Sequence, residues 1–165
     1  MNMKKIILIL VIFLLISCAT SNVMSFRTTE GLRLFIKPIT LNGEYDVNVD
    51  MNIPCDDFKI SGDVVVNYSI FFPVGSEPNI KSAVLTFEVN GEVLNVLNPV
   101  MMFIESAGGK KQEARFTSVL DAETMKILCK NADSISASLI IKNKIISLST
   151  SKLSKSLNEM NLNLL

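Results

Sequence analysis

Three cysteines, sixteen carboxylates and no histidine bound the chemistry open to this 165-residue chain. Without histidine there is no Ser-His-Asp or Cys-His constellation and no histidine-metal site, and the commonest general base is missing. Carboxylate pairs survive that exclusion. Asp56 and Asp57, however, are neighbours at a strand end, and neighbours on a strand point to opposite faces, which argues against the shared cleft of glycoside hydrolysis. Asp46, Asn48, Asp50 and Asn52, with Asp57 twelfth, imitate the oxygen ligands of a calcium loop. Met51 stands where that loop needs its turn glycine, and Val47, Val49 and Met51 alternate, so the segment reads as the solvated face of a strand. In "AGGKKQ", Ile104 takes the place of the first P-loop glycine and Lys111 that of its serine or threonine. No catalytic residue, metal ligand or cofactor site is assigned, and a non-enzyme is expected.

The remaining reactive group with a telling context is Cys18, in "LLISCATS". Lys4 and Lys5 precede an acid-free apolar run from Ile6 to Ile16, and small Ser17 stands before the cysteine. Eleven apolar residues are too few to cross roughly 30 Å of hydrocarbon, which takes about 20, but suffice for an export signal. Leu15-Ile16-Ser17-Cys18 resembles the lipobox of bacterial lipoproteins. That resemblance implies cleavage before Cys18, a diacylglycerol on its thiol, and membrane partnership through acyl chains. It covers only the first eighteen residues or so. Ala19 stands where the inner-membrane retention signal of some lipoproteins places Asp, so the resemblance points to the outer membrane where there is one. The expected organisation is a signal peptide at 1–17, a lipidated tether at 18–30 and one domain at 31–165.

Removing residues 1–17 leaves 165 − 17 = 148 residues, one domain's worth. It takes away two lysines and no acid, so the side-chain balance becomes 14 basic against 16 acidic. That balance gives no electrostatic case for nucleic acid. The mean hydropathy of +0.39 overstates the domain, since its most apolar stretch is the signal. In an oxidising compartment Cys55 and Cys129 could pair, closing a 75-residue loop worth about 4 kcal/mol. They could equally be two buried thiols, and Cys129 falls on an apolar helical face.

The elements around these residues follow a period of two. Asn42-Gly43 has the composition of a two-residue type I′ turn, which would set Val49 opposite Ile36, Met51 opposite Leu34 and Ile53 opposite Leu32. Arg33 and Lys37 would then face Asn52 and Asn48, with Asp50 diagonal to both bases. Asn90-Gly91 would similarly set Phe87 opposite Leu94 and Leu85 opposite Val96, leaving Thr86 on the other face. "DVVVNYSIFF" reads as a central strand ended by Pro73, Pro73 to Asn79 as a loop, and Val100–Ile104 as a further apolar run before the paired glycines. Asp121 is placed to cap a helix carrying Met125, Leu128, Cys129 and Ala132 on one face. Strands return on either side of Lys142-Asn143-Lys144. A last helix, capped by Ser151, would carry Leu153, Leu157, Met160 and Leu164.

These patterns predict a mainly β fold, an antiparallel β-sandwich or partly open barrel with two packed helices, and α+β as the alternative arrangement. The functional expectation is a membrane-anchored envelope lipoprotein with a non-catalytic binding or structural role and an envelope protein as its partner. A small domain binding an apolar ligand and a histidine-free hydrolase are the other readings.

Overall fold

The computed structural model describes residues 21–57, 59–76 and 80–163. Cys18, Leu164 and the end of the loop before Ile80 lie outside them. Period-two alternation builds eleven strands among the described residues. They are β1 (Val23–Thr28), β2 (Gly31–Leu41), β3 (Asp46–Asp56), β4 (Lys59–Ile60), β5 (Val64–Pro73), β6 (Val84–Val89), β7 (Glu92–Asn95), β8 (Leu97–Gly108), β9 (Lys111–Leu120), β10 (Ile135–Ile141) and β11 (Lys144–Leu148). All pairings are antiparallel. A large sheet runs β1-β2-β3-β5-β9-β8 with β4 added to β3, and a small one runs β11-β10-β6-β7. The β-sandwich expectation therefore holds. Residues 23–28, expected within the tether, are instead the first strand, zipped onto β2 from Val23↔Ile36 to Thr28↔Gly31.

The inner face of the large sheet is filled by the alternate residues of each strand. Leu34 and Ile36 on β2, Val49 and Met51 on β3, Val66, Tyr68 and Ile70 on β5, and Phe116 on β9 are buried with Leu85, Phe87 and Leu139 of the small sheet in one core. Tyr68 stacks on Phe116 with ring centroids 4.9 Å apart, and its hydroxyl donates to the Ala83 carbonyl at 2.9 Å. That bond links β5 to the segment entering the small sheet. Burial holds the Tyr68 phenol up at about 12.

Two helices cover the β1–β2–β4 end. Helix α1 (Ala122–Lys130) starts as expected: Asp121 accepts from the Thr124 backbone N–H at 2.8 Å and from its hydroxyl at 2.6 Å, which holds the carboxyl below its ordinary value. Met125, Leu128 and Cys129 face inward. Helix α2 (Ser151–Asn163) buries Leu153, Leu157 and Met160 against α1 and β2. Its first i→i−4 bond runs from the Ser154 N–H to the Thr150 carbonyl, so Thr150, not Ser151, sits at the cap. The Thr150 hydroxyl donates to the Ile135 carbonyl instead.

Only one of the two Asn-Gly pairs makes a two-residue hairpin. At Asn90-Gly91 both residues have positive φ, 53° and 83°, and Phe87 faces Leu94 as predicted, though the ladder stops at Thr86↔Asn95, short of Val96. At Asn42-Gly43 neither residue does. The observed register is Leu41↔Val47 and Ile39↔Val49, then Ile36↔Met51 and Leu34↔Ile53 after a bulge. Pro38 has no N–H to give the ladder, and the Lys37 N–H turns away to the Asn22 carbonyl, so these two residues form the bulge. Gly43 is needed for a different reason. A Cβ there would come within 2.7 Å of the Ser147 carbonyl oxygen, because this loop is pressed onto β11, where the Ser149 N–H donates to the Asn42 carbonyl. Met51 and Ile53 are each displaced by two residues from the expected register, so their apolar faces still match, and Val49, displaced by three, keeps an apolar partner in Ile39 because the bulge absorbs the odd residue.

Candidate binding face

The outer face of the large sheet carries the residues one step along from the core. Strand register assembles them into rows. Met24, Phe35, Asn52, Val65, Val119 and Leu97 lie opposite one another in turn across all six strands. The next row sets Asp50 beside Asn67, Thr117 and Val100, and the next sets Asn48 beside Ser69, Arg115 and Phe103.

Asp50 and Arg115 stand two strands apart and meet over β5. The Arg115 guanidinium binds the Asp50 carboxylate at 2.6 Å and the Ser69 hydroxyl at 2.9 Å, while the Asn67 amide donates to Asp50 at 2.8 Å. Asp50 is only 4% exposed. This corrects two expectations. Asp50 is no solvated residue of a strand face, and its partner is Arg115, far off in sequence, not Arg33 or Lys37; Arg33 pairs with Glu30 instead. The buried Asp50 carboxylate is stable there because it accepts a charge-assisted bond from Arg115 and a further bond from Asn67, while the partly exposed guanidinium also donates to Ser69. Nearby, the Asn52 side-chain oxygen is buried without a partner.

Around this polar centre the face is apolar and open. Leu97, Val100 and Phe103 along β8 are 36–58% exposed, as is Val65 in the middle of the sheet; Met102, in a bulge of β8, and Ile104, opposite the buried Ala114 on the other side of the sheet, are exposed as well. β8 is also an edge strand, terminal in the sheet order, and runs for twelve residues. A long apolar edge beside an apolar row is the composition of a surface that another molecule covers. Arg115 is neutralised by Asp50, and in the row beyond it Glu113 stands opposite Glu105, so this end of the face is acidic while its middle offers shape and apolar area. The apolar run Val100–Ile104 was visible in the sequence. Its exposure was not, because nothing in a single strand says whether a neighbour follows it.

The other residues singled out by type are placed as follows. Cys55 and Cys129 are both buried free thiols. They are brought into one region: Cys55, next to last in β3, pairs with Ile60 of β4, onto which α1, the helix bearing Cys129, packs. Burial raises both thiols, Cys129 to about 12 with a smaller push from Cys55, so neither is a nucleophile at neutral pH. Asp56 and Asp57 do not diverge as expected. Asp57 takes a left-handed φ of 44°, which breaks the alternation, and both line a cavity of about 320 Å³ with Arg27, Thr28, Thr29 and Gly31 at the tip of the β1–β2 hairpin. Both are exposed, whereas the general acid of a hydrolytic carboxylate pair is held protonated by burial. Among the described residues no group of three or more histidine, cysteine or carboxylate side chains is gathered for a metal ion, and no helix is long and apolar enough to cross a membrane.

No protein-family model matches this chain, and no curated protein does.

Proposed function

We propose that the chain is an exported lipoprotein, held to the bacterial envelope by acyl chains on Cys18, whose β domain binds an envelope protein without catalysing a reaction. The observation that carries the binding role is the outer face of the large sheet, with its apolar rows built around the closed Asp50–Arg115 pair and continued along the open β8 edge. Burying such rows against a partner yields roughly 25 cal/mol per Å² of apolar surface, and main-chain groups of an edge strand can extend the sheet. The signal-like start and Leu15-Ile16-Ser17-Cys18 support the anchor. Two or three acyl chains exceed what marginal membrane binding needs, at about 0.8 kcal/mol per buried methylene. The outer membrane is the destination favoured by Ala19.

The apolar-ligand reading draws less support. The space between the sheets is occupied by Tyr68, Phe72, Phe87 and Phe116, and the cavity at the hairpin tip is bordered by Arg27, Asp56 and Asp57, a poor container for an apolar molecule. To test the anchor, the full-length protein is expressed in a bacterial host and partitioned with detergent. Wild type should enter the detergent phase and carry acyl mass on Cys18, and Cys18→Ala should do neither. Equal partitioning of the two would contradict the proposal.

A further inference from the structure

The β1–β2 hairpin lies at the opposite edge of the large sheet from β8 and is the element closest in sequence to Cys18. Its outer face is amphipathic in an ordered way. Met24 faces Phe35, and Phe26 faces Arg33. Lys37 stands beyond Met24, where its N–H meets the Asn22 carbonyl. Three apolar side chains are therefore bracketed along one face by a cation at either end. Met24 and Phe26 are 49% and 42% exposed, large values for residues in the middle of a paired strand.

The chain leading to this hairpin is already tied down. Lys37 donates through its ammonium to the Ser21 carbonyl at 2.9 Å and through its backbone N–H to the Asn22 carbonyl at 2.9 Å, and the Ser21 hydroxyl bonds with Val23. Only residues 19 and 20 separate Cys18 from this fastened backbone. Three Cα steps reach at most about 11 Å. The headgroup zone of one leaflet is itself about 5–8 Å deep. An acylated Cys18 would therefore hold Ser21 within or a few ångströms above the headgroup layer, too close for the domain to float free of the surface.

Resting on the anchor proposed above, we propose that the outer face of the β1–β2 hairpin lies in the lipid interface, with Met24, Phe26 and Phe35 turned to the acyl boundary and with Lys37 and Arg33 giving the phosphates the N–H groups that the Ser21 carbonyl and Glu30 leave free. Long basic side chains suit that position, since their stems cover apolar surface while their heads stay in the headgroup layer. Glu30, paired with Arg33 at 2.7 Å, and Asp56 and Asp57 stand at the hairpin tip, away from the Lys37 end where the anchor attaches. β8 lies five strand spacings away across the sheet, roughly 24 Å, and a twist of about 20–25° per strand accumulates to roughly 100° over that span, which turns the outer face of β8 away from the lipid and leaves it for a partner.

The chain has no tryptophan, so a single one reports its own surroundings. Phe26→Trp and Met24→Trp are made in the full-length protein, with Ile145→Trp on β11 as the reference. Each acylated protein is reconstituted into phosphatidylethanolamine–phosphatidylglycerol vesicles containing brominated lipids, and acyl mass on Cys18 is measured in the same samples. Tryptophan at 24 and 26 should be quenched by the bromolipids at a depth of about 5–10 Å below the headgroup boundary, with blue-shifted emission, and tryptophan at 145 should not. Acylated protein in which 24 and 26 are quenched no more than 145 would overturn the seat and leave the anchor standing. Protection of 24 and 26 from acrylamide without bromolipid quenching would mean that protein covers the hairpin, and would overturn it too. Absence of acyl mass would remove the anchor, and the bromolipid signal would then decide whether the hairpin binds lipid unaided.

Discussion

On the inner face of the large sheet, Val49, Tyr68 and Phe116 lie opposite one another in one row, all at most 1% exposed. One residue further along the same three strands, the outer face presents Asp50, Asn67 and Thr117, with Val100 open to solvent at the end of that row. The backbone is common to both. The inner row is closed by another sheet, and the outer one is closed only at its centre, by Asp50 and Arg115. The difference teaches where stability resides, in the face that meets the small sheet, and which face is left for the proposed recognition, the one that no other described element covers.

If that division is right, truncation on the inner row should have the largest effect. Phe116→Ala removes the ring stacked on Tyr68 and should cost about 3–5 kcal/mol, read as a fall in the denaturant midpoint at unchanged slope. Asp50→Ala, on the outer row, should cost less, about 2–3 kcal/mol. It strands the Arg115 guanidinium over Ser69, but Arg115 keeps 26% of its side chain exposed and water offsets part of the loss. A midpoint unchanged by Asp50→Ala would show that the outer face has no structural centre.

Much of the inner face was legible in the sequence, because period two alone fixes which residues share a side. The central strand Val64–Pro73, the Asn90-Gly91 hairpin and the Asp121 cap follow from local chemistry. What was not legible depends on contacts between distant segments. Asn42-Gly43 has the same composition as Asn90-Gly91, yet its loop is held by β11, a hundred residues on, and Pro38 moves the register. The Asp50–Arg115 pair joins β3 to β9, and no local spacing announces it. Thr86, expected on an exposed face, is buried with its hydroxyl donating to the Ser138 carbonyl at 3.2 Å. Strand β1 has the look of a tether in sequence because Ser21–Glu30 is mostly polar and has a core-poor pattern, which its edge position explains.

The two Asn-Gly sites also give a paired test. Gly43→Ala must push against the Ser147 carbonyl and should cost about 1–3 kcal/mol as a local overpacking. Gly91→Ala meets nothing within 4 Å and loses only the ease of a φ of 83°, about 1 kcal/mol. Thermal midpoints in the reverse order would contradict the contact between the 42–45 loop and β11.

The smallest effects on stability belong to the exposed rows, and there the account is most directly tested. A photoreactive residue is placed at Val100 or at Ile145 in the full-length protein in the cells that produce it; the two sites are 58% and 69% exposed, so exposure alone favours Ile145. Both variants should melt within about 0.5 kcal/mol of wild type, as surface changes do. Illumination should yield a discrete protein adduct from Val100, lost when Leu97 and Phe103 are changed to Ser, and none from Ile145. No adduct at Val100, or the same adducts from both positions, would contradict the outer face as the working surface.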